Sequence, residues 1–165
     1  METHRTNRLI MRRIIERDSE FIYKLYNSEG FLKYIGDKNI HSNKAAKEYI
    51  QSSFQKMYQE LSIGMYRVSL KDCNTAIGVC GILKRSPKDD YEIGFGFLPE
   101  YYGKGYAYES SQYWLNFARI NLNLKRITAI TSHDNRASQS LLEKLKMKKE
   151  SSSSNNLYKY KTIWK

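Results

Sequence analysis

The chain has 165 residues, 41% of them apolar and 13% aromatic, which is enough for one folded domain with a real core and too apolar for a disordered chain. Its formal charge is +11, and no apolar run approaches the ~20 residues of a membrane span. Cys73 and Cys80 are the only cysteines, too few for a secreted disulfide scaffold, so a reducing, cytoplasmic setting is expected.

Residues 8–12 alternate weakly and predict a first strand. Asp18 can cap a helix running to about Asn27, with Phe21, Ile22 and Leu25 on one face. Residues 31–34 form a short apolar patch. Ser42 can cap a second helix, in which Ala46, Tyr49, Ile50, Phe54, Met57, Tyr58 and Leu61 recur at steps of three and four. Residues 65–70 and 76–83 predict a hairpin around Lys71-Asp72-Cys73-Asn74. A turn at 86–89 leads to a strand over 90–98. Residues 107–120 predict a helix with Trp114, Leu115 and Ala118 inward, 126–131 a strand, and 136–146 a helix capped near Asp134 or Asn135. The tail, 148–164, predicts two strands joined by a solvated tip at 151–156. This order gives a mixed α/β (α+β) domain spanning 1–165 on a mostly antiparallel sheet of about seven strands. The first thirteen residues contain no apolar stretch of the kind a secretory signal needs.

The positive charge has three readings: a solubilising surface, attraction of an anionic coenzyme, or docking near RNA. Zinc-finger spacing, an RNA-binding aromatic signature and a long basic arm are all missing from the sequence. Nucleic acid is therefore not expected as the primary ligand. His4, His41 and His133 are too dispersed to suggest a metal site. Ser132-His133-Asp134 is no hydrolase triad, because adjacent side chains diverge. Cys73 and Cys80 read as small apolar residues in or beside strands, or as a redox pair.

The most informative segment is 91–111, YEIGFGFLPEYYGKGYAYESS. It predicts a strand, a turn with Gly103 and Gly105, and a helix. Such a turn can aim several backbone N–H groups at a phosphate, helped by the helix dipole. The spacing fits neither a nucleoside-triphosphate loop nor a dinucleotide fingerprint, which would need a third glycine where Tyr108 stands.

Glu100-Tyr101-Tyr102-Gly103-Lys104-Gly105 resembles the pyrophosphate loop of the GNAT N-acetyltransferase superfamily, Gln/Arg-x-x-Gly-x-Gly/Ala, with Glu100 as a departure at the first position. The wording PEYYGKGYA looks like the branch of ribosomal-protein N-terminal (Rim-type) acetyltransferases. Asn7-Arg8-Leu9-Ile10-Met11-Arg12, Ile77-Gly78-Val79-Cys80-Gly81, Asn135-Arg136-Ala137-Ser138 and Leu142-Glu143-Lys144-Leu145 follow the same branch in the same order, so the resemblance covers nearly the whole chain. It implies a GNAT domain with helices on both faces of the sheet, and acetyl-CoA as donor with no metal. The acceptor would be a primary amine, either a small molecule or a protein N-terminus such as a ribosomal one. No membrane is implied, and the assembly would be a monomer or homodimer.

The resemblance also implies site residues. The strand carrying Gly94 and Gly96 would splay from its neighbour and offer N–H groups near Phe97 and Leu98 to the pantetheine arm and the thioester carbonyl. Gly103, Lys104, Gly105, Tyr106, Ala107 and Tyr108 would hold the pyrophosphate. Asn135 would bind the arm, and Ser138 would lie near the sulfur, or the two would merely cap and pack a helix. Glu92, among aromatics, could act as general base directly or through water, or be an ordinary ion-paired strand residue. Leu142 replaces the family's Tyr acid, which leaves the acid to Ser138 or to one of the fourteen tyrosines. Lys146-Met147 replaces Gly-Phe after the last helix, so a different helix end is expected. The alternatives are a non-catalytic acetyl-CoA-binding sensor or scaffold, and a basic nucleic-acid-binding module.

Overall fold

The computed structural model describes residues 2–150 and 156–164. Eight strands form one sheet: β1 (Thr3–Arg5), β2 (Leu9–Arg13), β3 (Met65–Leu70), β4 (Ala76–Leu83), β5 (Glu92–Phe97), β6 (Arg126–Ser132), β7 (Lys148–Lys149) and β8 (Leu157–Ile163). Their spatial order is β1-β2-β3-β4-β5-β6-β8-β7, and every neighbouring pair is antiparallel except β5 and β6. The seven expected strands are present, and β1 is added at the edge. The proposed hairpin tip falls outside the described residues except for Asn156.

The helices are α1 (Ser19–Tyr26), α2 (Glu29–Tyr34), α3 (Asn43–Tyr49), α4 (Lys56–Leu61), α5 (Tyr106–Ile120) and α6 (Arg136–Lys144). The apolar patch at 31–34 is thus helical. The second expected helix is α3 and α4 joined by a π-helical stretch, Ile50–Gln55. Ser42 caps α3 as expected, its Oγ accepting from the Ala45 N–H at 3.0 Å. Among the described residues, no helix is long and apolar enough to cross a membrane.

Asp18 corrects an expectation. Its carboxylate does not cap α1. It accepts the Ile15 N–H at 2.9 Å and a bidentate pair from Arg12 at 2.7 and 2.8 Å. Arg67 approaches the same group at 3.5 Å. The start of α1 is therefore fastened to β2 and β3 by a buried ion cluster, because a carboxylate out of water needs this many donors.

The two sheet faces are covered differently. α5 lies on the face that carries Tyr66 and Cys80, with Trp114 fully buried against Tyr66. α2 lies over the opposite face, where a side chain built on Gly96 would meet Phe31 and Ile35. Burial against α5 pushes the Cys80 thiol up to about 11, so it stays protonated and packs as a small apolar group. Cys73 is exposed and free, so the pair is not disulfide-bonded.

His4 sits in an aromatic nest of Tyr66, Tyr113, Trp114 and Phe117, 7% exposed, with its Nδ1 2.8 Å from the Tyr113 hydroxyl. Burial lowers its pKa below 6.5; Glu2 opposes this and Arg13 adds to it. The folded protein therefore binds fewer protons here than the unfolded chain. Stability from the neutral imidazole is complete above about pH 6.5 and is lost as the pH falls from there through the lowered folded value. A thermal-melt series from pH 7.5 to 5 should show a shallower acid loss in His4→Gln than in the wild type. Parallel curves would show that His4 does not drive it.

The end of α6 corrects a second expectation. Lys146 takes the left-handed backbone that the expected glycine would have supplied, with φ +63°. Lys146 N–H donates to Glu143 O and Met147 N–H to Leu142 O, at 2.9 and 3.0 Å, the paired bonds of a Schellman motif. The side chain costs ~1 kcal/mol there. Lys146→Gly is expected to raise the melting temperature by about 2–4 °C. No rise in calorimetry would mean that glycine's greater freedom in the unfolded chain cancels the relief.

Candidate active site

β5 and β6 share a single register pair, Glu92 with Thr128, and then part. On its other side β5 is fully paired with β4, from Leu83–Glu92 to Gly78–Phe97. Leu98 N–H donates to Ile77 O at 2.9 Å, continuing that ladder. Hydrogen-bonding direction alternates along a strand, so the N–H groups of Phe95 and Phe97 turn the other way, into the wedge between β5 and β6. This corrects the expectation for Leu98, whose N–H is spent on β4. The N–H groups of Phe97 and Phe95 are the ones that face the wedge.

Past the open end of β5 comes the glycine turn. Gly103 and Gly105 have φ +71° and +79°, the region that costs L side chains energy. Gly105 is the N-cap of α5 and provides no side-chain cap. The first-turn N–H groups of Tyr106, Ala107 and Tyr108 have no intrahelical acceptor and are collected at one point with the helix dipole behind them. The Lys104 ammonium lies 5.4 Å from the centre of the Tyr101 ring.

Arg8 holds this turn from the far edge of the sheet. Its Nη1 donates to Lys104 O at 3.0 Å, its Nε to Glu109 Oε2 at 2.7 Å, and its guanidinium covers the Tyr106 ring at 4.6 Å. Glu109 Oε1 accepts from Thr6 Oγ1 and from the Arg8 N–H, at 2.5 and 2.8 Å. Burial would raise the Glu109 carboxyl, but the bonds from Thr6 and Arg8 outweigh it, and the net shift is downward. Arg8 lies in a stretch that matched the family, but its role was not legible there.

From Glu92 at the closed end of the wedge to Phe95 and Thr131 farther along it runs a cavity of about 460 Å³, between β5, β6, α6 and the helices from α1 to α4. Its walls include Tyr26, Phe31, Tyr49 and Phe54. Glu92 lines it and is 6% exposed. Both carboxylate oxygens are bonded by Arg85, Nε to Oε2 at 2.9 Å and Nη2 to Oε1 at 2.8 Å. Each oxygen retains a lone pair for a ligand or a water. The ion-pair reading of Glu92 thus describes its partner and leaves its lone pairs available for chemistry. Arg85 and its pairing were not foreseen.

Asn135 and Ser138 reach the same cavity from α6. Asn135 Oδ1 accepts from the Ser138 N–H at 3.1 Å, so the helix cap is real, and the amide NH₂ is left over. Ser138 is 9% exposed. Beside them Thr131, at the end of β6, has a buried hydroxyl with no partner among the described residues. A buried hydroxyl facing a cavity is a donor awaiting an acceptor. Leu142 is wholly buried in the core and offers no acid. Tyr26, Tyr34 and Tyr49 are the tyrosines on the cavity wall, and burial holds the Tyr26 hydroxyl well above its ordinary range.

A sheet parted between two parallel strands, with a glycine turn and an uncapped helix start beyond the gap, makes a cleft with an anion-binding end. Residues 8–148 match the acetyltransferase (GNAT) domain, and the chain belongs to that family. It is 32% identical over 146 residues to the uncharacterized N-acetyltransferase YoaA of Bacillus subtilis, covering 88% of this chain and 82% of YoaA. Among solved structures it resembles a GNAT-family acetyltransferase from Bacillus anthracis, with TM-score 0.81, 23% identity and 98% of both chains covered. It also resembles RimL, a ribosomal L7/L12 α-N-protein acetyltransferase in complex with coenzyme A, with TM-score 0.83, 17% identity and 98% of both chains covered. The family uses acetyl-CoA. The uncapped first turn of α5, the left-handed glycines and the unpaired edge of β5 fit such a ligand.

Proposed function

We propose that this protein moves the acetyl group of acetyl-CoA directly to a primary amine, with both substrates bound together at the wedge between β5 and β6. The observation that carries this reading is the single register pair between those strands, which leaves a backbone edge running from the glycine turn to the cavity of Glu92.

Acetyl-CoA supplies an acetyl group already activated as a thioester. Gly103 to Tyr108 hold its pyrophosphate on backbone N–H groups, with Lys104 adding charge. Phe95 and Phe97 offer N–H donors to the pantetheine arm and to the thioester carbonyl, which fixes the arm and draws electron density from the carbon. The Asn135 amide and the Thr131 hydroxyl hold the arm from the β6 side. Glu92 accepts the proton of the acceptor ammonium, directly or through one water, and frees its lone pair. A nitrogen–carbon bond forms as the carbon–sulfur bond breaks. Ser138 donates a hydrogen bond to the departing thiolate, which takes up the second proton of the acylated nitrogen and ends as the free thiol. Holding both reactants at one wedge supplies much of the rate.

The test is calorimetric titration with acetyl-CoA, with ATP and NAD as controls, followed by a thiol-release assay on an amine panel. Binding of acetyl-CoA alone, followed by amine-dependent thiol release, is the expected result. Binding without release from any amine would favour a sensor. A protein N-terminus is the acceptor class to begin with, because RimL, with which the chain shares its fold, is a protein α-N-acetyltransferase.

A further inference from the structure

We propose that the acceptor amine carries a carboxylate close to its nitrogen, and that Lys38, Lys84 and Arg85 bind it. This rests on the transferase reading and narrows its substrate class.

Four charged residues line the cavity: Lys38, Lys84, Arg85 and Glu92. Their net charge is +2 before a substrate enters. Arg85 and Glu92 cancel through their bidentate pair. Lys84 lies 4.9 Å from the centre of the Tyr91 ring, and Lys38 is exposed. Neither has a carboxylate at ion-pair distance among the described residues. Asp37, next to Lys38 in sequence, pairs instead with His41 at 3.5 Å. The Glu29 and Asp134 carboxylates act on Lys33, outside the cavity lining.

Lys84 and Arg85 are badly placed for the coenzyme's phosphates. Lys84 and Arg85 follow β4, whose last residue, Leu83, pairs with Glu92 at the closed end of the wedge. The glycine turn lies beyond Phe97 at the other end. The five steps of β5 between them span roughly 17 Å at ~3.3 Å per residue. Two anion-binding regions therefore flank the reaction centre, one for the coenzyme and one on the acceptor side. Arg85 can serve both the base and the acceptor, because two of its five N–H donors are used on Glu92 and three remain. One guanidinium can then hold the base and the substrate carboxylate side by side, which places the substrate's nitrogen next to Glu92.

The aromatic wall of Tyr26, Phe31, Tyr49 and Phe54 gives the cavity an apolar side on which the substrate's carbon chain can lie. A polycationic acceptor, such as a polyamine or an aminoglycoside, would meet Lys38, Lys84 and Arg85 with like charge. Two sources supply the matching chemistry: a free amino acid, and a protein N-terminus followed by Asp or Glu.

Thiol release from acetyl-CoA should be measured with matched tetrapeptide amides that begin with Ser and continue with Glu, Ala or Lys, with free glutamate and serine, and with spermidine. Acidic acceptors are expected to exceed the neutral ones in kcat/KM by about tenfold or more, mainly through KM. Free amino acids outperforming acidic peptides identifies a small-molecule acceptor; the reverse identifies a protein terminus. Lys38→Glu and Lys84→Glu, both at exposed or half-exposed sites where folding tolerates them, should each remove most of that preference while kcat for neutral acceptors stays measurable. Equal or better turnover of neutral peptides or spermidine overturns the acidic-acceptor proposal and leaves the transferase reading intact. Thiol release from no amine at all, with acetyl-CoA bound, overturns both.

Discussion

Replacing Glu92 by Gln is expected to lower kcat by about 10²–10⁴-fold, the usual contribution of a positioned base, while leaving the affinity for acetyl-CoA unchanged. Gln keeps the size and can still accept a hydrogen bond from Arg85, so packing is preserved. What it loses is the negative charge that receives the ammonium proton. Arg85 is left without its carboxylate, but its side chain is 59% exposed and can be solvated, so the fold should survive. Circular dichroism and the melting temperature check that point. Arg85→Ala probes the partner: it removes the donors that hold Glu92 and those left for the acceptor, and should raise acceptor KM. Turnover by Glu92→Gln within about threefold of wild type would remove Glu92 as the base and transfer that role to a water chain. If Ser138→Ala were equally silent, both catalytic assignments would be lost.

The second large effect is expected at the glycine turn. At Gly105 an added Cβ would meet Arg8 Nη2 at 3.3 Å, and the backbone stands at φ +79°. Gly105→Ala therefore meets both a crowded neighbour and a backbone cost of ~1–2 kcal/mol. A free turn would relax to avoid that cost, and binding would have to restore it. The Kd for acetyl-CoA should rise by about 5–30-fold, since every 1.4 kcal/mol is tenfold. Gly103 offers a control, because its φ is also positive at +71° but nothing lies within 4 Å of its added Cβ. Gly103→Ala should weaken binding less. Equal effects would show that Arg8 contributes nothing to the shape of the turn, and unchanged affinity in both variants would show that the turn does not hold the ligand.

Much of this architecture was legible in the sequence. The spacing of apolar side chains found α1, α5 and the stretch from α3 to α4, and alternation found β2 and β8. Ser42 and Asn135 were readable as caps because cap chemistry is local. The glycine turn was readable because its spacing is specific. What escaped shares one physical cause: it depends on partners distant in sequence or on the direction of a backbone group. β1 is three polar or basic residues, and it is a strand only because β2 lies beside it and α5 buries His4. Asp18 looked like a cap because its neighbours are helical, but Arg12 and Arg67 had the stronger claim on its charge. Leu98 and Phe97 are equivalent in sequence, and only the β4 ladder shows which N–H is already spent. Lys146 was expected to change the helix end because glycine is usual there, but the pair of bonds around Met147 imposes the left-handed backbone on whatever residue it finds.

The fastening of the glycine turn by Arg8 also bears on how the protein is made. Arg8 and Glu109 are 101 positions apart, and His4 and Tyr113 are 109 apart. At a synthesis rate of about 5–20 residues per second, Arg8 leaves the ribosome roughly 5–20 s ahead of the carboxylate that will hold it. During that interval β2, which follows Arg8, can pair with β3, but Arg8 itself cannot yet be locked across α5. Contacts of such long sequence separation are slow to close and form late in folding. The glycine turn is thus fastened only after the sheet that supports it, and a nascent chain stalled before α5 would have most of its core and an unfastened turn.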